Sequence, residues 1–288
     1  MISEKDRVKY YLNDIKNKKD TKLINPLNVN TIIKSKKNSN AYEKYWRPLM
    51  EELIKYNFQE KLFMCKPGDI TKNLDNYYLV KNRTVDDKKS IILRCFNTDR
   101  HWELYYNKPK DIPFDEKTNK IFWRGTTNGL QTNKGNRYDL VYNWFEKNKN
   151  IDVGFSNVNL NIKTNKKYLK DGSSKRNFLT YKYILSVEGN DKDSGINWKL
   201  NSNSLVFMAK PTKVSWLMED KLIPNYHYIL LKDDFSDLYN KYIWCENNQS
   251  KCKEIINNAN KYMSMFSDVD KEKKIEKKVL DEYFKKVN

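Results

Sequence analysis

A strand-like run, Tyr183 to Val187, ends on Glu188-Gly189-Asn190-Asp191. Such an ending brings two carboxylates and a carboxamide to one sheet edge, and the glycine lets a ligand approach the backbone closely. The next segment, Ser194 to Asn201, reads as a helix. Its first amides, near Ser194, would face the same place and suit an anion such as a diphosphate. An ordinary strand-to-helix turn uses the same residue types, so the pattern alone leaves both readings open. Upstream, Arg124 and Gly125 follow the strand-like KIFW, and Arg137 opens a helix beyond a Gly- and Asn-rich loop, Thr126 to Asn136. Two guanidiniums flanking that loop can grip a diphosphate bidentately. Two solvated surface arginines are the alternative. The loop has neither the GK[ST] of a Walker A loop nor GxGxxG spacing.

Asp99 closes SIILRCFNTD. A carboxylate at a strand end is a general base for a hydroxyl nucleophile if it faces a cleft, and a plain turn acid if it does not. His101 follows two residues later and can line the same cleft; His227 precedes a strand within Pro224 to Tyr228. A lone histidine is more often a structural hydrogen bonder than a catalyst. The tandem acids Asp86-Asp87 and Asp233-Asp234 are not a DxD string and fit turns. The cysteines (Cys65, Cys95, Cys245, Cys252) form no CxxC and there are two histidines, so no zinc site, and no metal at all, is expected.

Helical spacing covers Asp6 to Ile15 and Tyr42 to Tyr56, separated by the polar KSKKNSN from Lys34. Short strand-like runs follow at Lys61 to Cys65, Tyr77 to Val80, Ser90 to Phe96 and Lys120 to Trp123. From Ile151 strands and helices alternate: strands at Ile151 to Phe155, Tyr183 to Val187, Ser204 to Met208 and Tyr228 to Leu231, and helices at Ser194 to Asn201, Val214 to Leu222, Ser236 to Cys245 and Lys251 to Met265. That alternation predicts a parallel α/β unit. A charged amphipathic helix, Lys271 to Phe284, ends the pattern. The polar KNKN at Lys147 to Asn150 suggests a boundary near residue 148. The expected domains are an N-terminal α/β lobe (1–148), a C-terminal Rossmann-like lobe (149–265) and a terminal helix (266–288). In open α/β sheets ligands bind at the carboxyl ends of the strands.

Net charge is +18, with 55 Lys+Arg against 37 Asp+Glu. The excess admits an anionic partner: a phosphorylated substrate, nucleic acid, or a peripheral contact with an anionic membrane surface. It equally fits lysines spread over a solvated surface. No helix-turn-helix, zinc-finger or RNA-recognition pattern appears, so a specific nucleic-acid partner is not expected. The 14% aromatic content requires a packed core rather than disorder. The first residues hold no apolar signal region, and no run of about 18 apolar residues occurs, so a cytoplasmic location is expected.

Taken together and in order, KIFWRGTTNG (Lys120 to Gly129), Arg137, KYILSVEGND (Lys182 to Asp191), NSLVFMAKP (Asn203 to Pro211), LMEDKLIPNYHYILLKDDFSDL (Leu217 to Leu238) and NNANKYM (Asn257 to Met263) resemble glycosyltransferase family 90. FNTDRHW (Phe96 to Trp102) is similar to its bacterial branch. The family includes bacterial lipopolysaccharide-modifying enzymes, fungal capsule xylosyltransferases and animal protein O-glucosyltransferases. The resemblance covers roughly residues 90 to 265, and the first 85 lie outside it.

The resemblance implies a compact GT-B-like α/β fold, two Rossmann-like lobes facing a cleft with the donor held by the C-terminal one. It implies inverting, metal-independent transfer from a nucleotide sugar, UDP-linked, to a hydroxyl of a glycan, a lipid-linked saccharide or a protein. Asp99 matches the base and Arg137 a donor-diphosphate contact. Arg124 and Gly125 match the WRG string, and Glu219, His227 and Tyr228 a patterned stretch lining the site. Many members carry an arginine after the EG-type turn. Asp193 to Lys199 has none, leaving Lys192 or Lys199 to replace it as a point charge rather than a fork. That departure keeps a catalytically degenerate binding subunit open as an alternative, and the charge keeps a basic nucleic-acid-binding protein open as another.

Overall fold

The structure is a computed structural model that describes residues 2–13, 15, 23–36, 39, 42–97, 110–158 and 166–287. The chain divides into two compact units, one of residues 1–103, 213–217 and 268–288, the other of residues 104–212 and 218–267.

In the first unit, helix α1 (Glu4–Leu12) begins at Ser3, whose side chain accepts the Asp6 N–H. Helices α2 (Val29–Lys36) and α3 (Arg47–Lys55) follow. Three two-residue strands, β1 (Cys65–Lys66), β2 (Leu79–Val80) and β4 (Ile91–Ile92), pair in parallel in that order. Strand β3 (Asn82–Thr84) pairs antiparallel with β9 (Lys213–Ser215). The last helix, α9 (Val269–Val287), buries Ile275, Val279, Leu280 and Tyr283 completely in this unit.

Buried ion pairs tie the unit together. The Arg7 guanidinium donates to both Glu272 oxygens at 2.6 and 2.5 Å and to the Tyr11 hydroxyl. The Tyr11 ring stacks on Trp216 at 3.8 Å, and the Trp216 indole N–H donates to Glu272. Arg94 donates to Glu276 at 3.0 Å. Arg83 caps the end of α1 by donating to the carbonyls of Tyr10 and Tyr11. Asp87, 2% exposed, accepts from the amides of Leu74, Lys89 and Ser90 and from the Ser90 hydroxyl. Burial raises its proton affinity, but these donors outweigh burial and hold the carboxyl below the usual range.

The second unit is built on five parallel strands. They are β5 (Thr118–Thr126), β6 (Ile151–Asn157), β7 (Tyr181–Leu185), β8 (Leu205–Met208) and β10 (Ile229–Leu230), ordered β10-β8-β7-β5-β6. Its helices are α4 (Arg137–Trp144), α5 (Lys175–Phe178), α6 (Ile196–Leu200), α7 (Leu238–Asn247) and α8 (Gln249–Met263). Side chains alternate across the sheet. On one face Trp123, Phe155, Tyr183, Leu185 and Phe207 form a core with Leu238, Cys245, Cys252 and Ile255 of α7 and α8. On the other, Phe122 meets Phe178, which meets Trp198. Burial on both faces explains why these strands read as continuous apolar runs. The chain steps outward from β5 to β6, then returns across β5 to β7. The order therefore reverses between β5 and β7, the position where doubly wound sheets bind ligands.

The α/β class and the parallel sheet agree with expectation, but several details differ. The expected boundary near 148 falls between α4 and β6, and β6 pairs with β5 in one sheet. The polar KNKN is a surface turn, not a linker. The terminal helix is part of the first unit's core, because its apolar stripe is fully buried there. No helix covers Val214 to Leu222. Lys213–Ser215 is the strand paired with β3, and Glu219–Lys221 is a single 3-10 turn after Met218, whose backbone is left-handed at φ 54°. Tertiary pairing overrides local spacing there. Helix α7 begins at Leu238 and not Ser236, with Asp234 accepting the Ser236 amide. Among the described residues no helix is long and apolar enough to cross a membrane.

Candidate functional site at the switch point

Segments following β5 and β7 meet at the carboxyl edge of the sheet. The Arg137 guanidinium lies between them. It donates to the Glu188 carbonyl at 3.2 Å, to the Thr126 carbonyl and hydroxyl at 3.0 and 3.2 Å, and reaches the Val187 carbonyl at 3.5 Å. Asn136 caps α4 by accepting the amides of Tyr138 and Asp139, and the Tyr138 hydroxyl donates to the Thr127 carbonyl at 2.6 Å. The loop and the arginine are thus fixed from both sides. Among the described residues no carboxylate is hydrogen-bonded to or ion-paired with Arg137. Burial lowers its proton affinity, opposed by the charges of Asp193 and Asp191.

Two glycines make the close approach possible. A Cβ on Gly189 would lie 2.8 Å from an Arg137 nitrogen. Gly129, at φ +92°, would place a Cβ 2.9 Å from the Gly189 carbonyl oxygen. The Gly129 amide donates to the Asn190 side-chain oxygen at 3.0 Å, which locks the two loops together. Gly129→Ala meets both backbone strain and a backbone clash. It is expected to destabilise by more than about 1 kcal/mol, whereas Gly172→Ala, with open space around its Cβ, should be neutral. Thermal unfolding of the two variants checks this, and equal melting temperatures would refute it.

Glu188 accepts the Thr212 amide at 2.8 Å and the Thr212 hydroxyl, joining the ends of β7 and β8. Asp191 accepts the Gly189 amide through its carbonyl at 2.9 Å. Helix α6 starts at Ile196 with Gly195 as cap, and Ser194 is exposed. The expected amide cluster near Ser194 is not formed, because Asp193 takes those donors. Its carboxylate accepts from Gly195 N–H, its carbonyl from Ile196 N–H. Asp193 also accepts from the Ser186 hydroxyl at 2.8 Å and from the Lys199 ammonium at 2.5 Å. Burial works against its charge, but the lysine and the Gly195 amide prevail and keep the carboxyl below its ordinary range.

The two arginines do not converge. Arg124 shares the Phe122 face of β5, its guanidinium 4.6 Å from that ring, and pairs with Asp152 at 2.7 Å. Arg137 lies over Trp123, on the other face. Gly125 is paired within the sheet opposite Phe155. Glu219 is buried in the 3-10 turn, 3.9 Å from the Lys192 ammonium. His227 accepts the Ile223 amide through Nδ1 at 2.8 Å and packs against Tyr262. Burial lowers its proton affinity, so it is a neutral structural acceptor. Tyr228 is fully buried, its hydroxyl without a hydrogen-bond partner among the described residues and pushed up to about 12 by burial. Asp99 and His101 lie outside the described residues. Among the described residues, no group of three or more His, Cys, Asp or Glu is placed to hold a metal ion.

Thr126, Thr127, Gly129, Asn136 and Thr212 were not singled out by sequence. Asn136 had a readable signal, a cap residue directly before an apolar helix. Thr127 and Gly129 act through backbone groups, Thr126 and Thr212 through backbone and hydroxyl groups, and no local pattern marks these contacts.

The fold and the site define a mixed α/β protein with a Rossmann-like parallel sheet and a glycine-enabled, arginine-tied junction at its switch point. The sequence model described as Glycosyl transferase family 90 matches residues 98–288, and the chain belongs to that family. It is 30% identical over 236 residues, 82% of the chain, to "O-glucosyltransferase LpsA" of Dichelobacter nodosus, covering 70% of that protein. It is 27% identical over 175 residues to "Uncharacterized protein 035R" of Invertebrate iridescent virus 3 and 32% identical over 92 residues to "Uncharacterized protein 179R" of Invertebrate iridescent virus 6. The matches cover 55% and 30% of the chain but only 16% and 8% of those viral proteins. The protein is therefore a glycosyltransferase, with a sugar donor and an acceptor.

Proposed function

We propose that the protein transfers a sugar from a nucleotide-sugar donor, UDP-linked, to an acceptor hydroxyl, with inversion, without a metal, on a GT-B-type fold. The observation that carries the reading is the junction at the β5/β7 switch point, where Arg137 and the Gly129–Gly189 approach meet at the strands' carboxyl ends. The acceptor is a hydroxyl of a glycan, a lipopolysaccharide-like lipid-linked saccharide or a protein, and the setting is cytoplasmic. The basic surface allows peripheral contact with an anionic membrane.

In this mechanism Asp99 takes the acceptor's proton. The acceptor oxygen forms a bond to the anomeric carbon as the bond to the diphosphate oxygen breaks, and the nucleoside diphosphate leaves with the electron pair. The positive field of Arg137 stabilises that charge, although its N–H groups are engaged with carbonyls in this conformation. Arg124, paired with Asp152, is assigned to the sheet rather than the donor.

A panel of UDP-, GDP-, CMP- and dTDP-sugars tested for binding and slow hydrolysis examines the reading. Absence of binding to every one would overturn it. Binding of a donor without turnover under any acceptor would instead favour the degenerate binding subunit. Transfer is expected to survive EDTA, since leaving-group charge is met by cationic side chains. Loss on chelation with recovery in manganese would sink the metal-free assignment.

A further inference from the structure

The turn 188–195 holds three cations within its reach, and their hydrogen bonding differs. Arg137 is engaged with the carbonyls of Thr126 and Glu188. Lys199 donates to Asp193 at 2.5 Å and to the Leu185 carbonyl at 3.0 Å. Lys192 differs from both. Its side chain is 3% exposed, its ammonium has no hydrogen-bond partner among the described residues, and the acid beside it, Glu219, is 3.9 Å away. That separation allows Coulombic attraction but not a hydrogen bond. Glu219 has further interactions of its own and does not depend on Lys192 for a partner.

A buried ammonium with three unused donors is an exception in folded proteins, where buried polar groups are paired. The acceptor it lacks is not supplied by the described residues of the chain. Lys192 follows Asn190 by two residues, and Asn190 is the residue whose side chain binds the Gly129 amide across the switch point. The cation therefore belongs to the turn that would face a ligand there.

We propose that Lys192 is the residue that hydrogen-bonds the phosphate oxygens of a nucleoside diphosphate at this site. The proposal rests on the nucleotide-sugar reading above. In this conformation the ammonium is parked beside Glu219. The four-carbon stem lets it swing out without moving the backbone, and its three donors suit an oxyanion as a point charge. A loose ion pair makes a suitable resting place, because no hydrogen bond has to be broken on leaving it.

Calorimetry with UDP and with uridine, on the full chain and its Lys192→Met and Lys192→Arg variants, tests the assignment. The methionine keeps the length of the stem and removes the charge. UDP affinity is expected to fall about tenfold or more in Lys192→Met, with uridine affinity unchanged and substantial recovery in Lys192→Arg. The melting temperature of Lys192→Met without nucleotide reads separately the cost of leaving buried Glu219 without its nearby cation. Unchanged UDP affinity in Lys192→Met would overturn the proposal, as would an equal loss for UDP and uridine. A lowered melting temperature with unchanged UDP affinity would also overturn it, and would make Lys192 a structural partner of Glu219. If the unmodified protein binds neither UDP nor any other nucleoside diphosphate, it is the donor reading itself that fails.

Discussion

Asp99→Asn is expected to lower the rate of sugar transfer by about 10²–10⁴-fold, the usual cost of losing a general base. The amide keeps the shape and much of the hydrogen bonding of the carboxylate but cannot accept the acceptor's proton. Asp99 lies within the stretch matched by the family, at residues 98–288. Donor affinity should hardly change, because in the proposed mechanism Asp99 acts on the acceptor hydroxyl and not on the donor diphosphate. Arg137→Ala should show the complementary pattern of weakened donor binding. The structure adds a second expectation for it, a lower melting temperature, since the carbonyls of Thr126 and Glu188 would lose their donor. Single-turnover transfer rates and calorimetric donor affinities on both variants separate the roles. A fully active Asp99→Asn enzyme would remove Asp99 from the mechanism and shift attention to His101 or Asp191. Glu188 is a weaker substitute, since its carboxylate is held by Thr212.

The largest stability effect is expected at Arg7. Arg7→Met leaves Glu272, which is 0% exposed, without its guanidinium in the interior of the first unit. Stranding one member of a buried pair costs about 3–5 kcal/mol. The Trp216 indole N–H still reaches Glu272, but a neutral donor does not replace the lost cation. Denaturant unfolding of Arg7→Met and of the double variant Arg7→Met/Glu272→Met checks the mechanism. The double variant should recover much of the loss, because both charges are gone and apolar atoms fill the space. No recovery would mean that packing against Tyr11 and Trp216, rather than charge, dominates at this position.

The parallel sheet was readable because its strands are buried on both faces. Tyr183-Ile184-Leu185 and Leu205 to Met208 have no polar interruption, and that pattern survives translation into structure. The placement of the EGND turn after a strand and of Arg137 at the start of a helix was also legible, but not a role for them, since an ordinary strand-to-helix turn uses the same residue types. Three things were not. Pairing of Lys213–Ser215 with Asn82–Thr84 joins residues some 130 apart in sequence, and no local pattern encodes it. The opposite faces of Arg124 and Arg137 depend on the register of β5, which a motif reading ignores. The engagement of the α6 amides by Asp193 turns a generic anion-site argument into an intramolecular cap. Residues 147–150 lie within one compact unit for a related reason. A polar tetrapeptide marks a surface, and surfaces occur inside a domain as well as between domains.

The joining of α1 to α9 sets an order of events during synthesis. Arg7 and Glu272 are 265 positions apart. At about 5–20 residues per second, a ribosome needs roughly 15–50 s to deliver the second after the first. By the end of that interval every residue of the second unit, up to Ser267, has been made, while Arg7 of α1 is still waiting for Glu272. The first-made part of the chain is thus the last to be completed. Its apolar face is the one most in need of chaperone cover, and a premature stop before residue 268 would leave a nascent chain with one finished unit and one that has no closing helix.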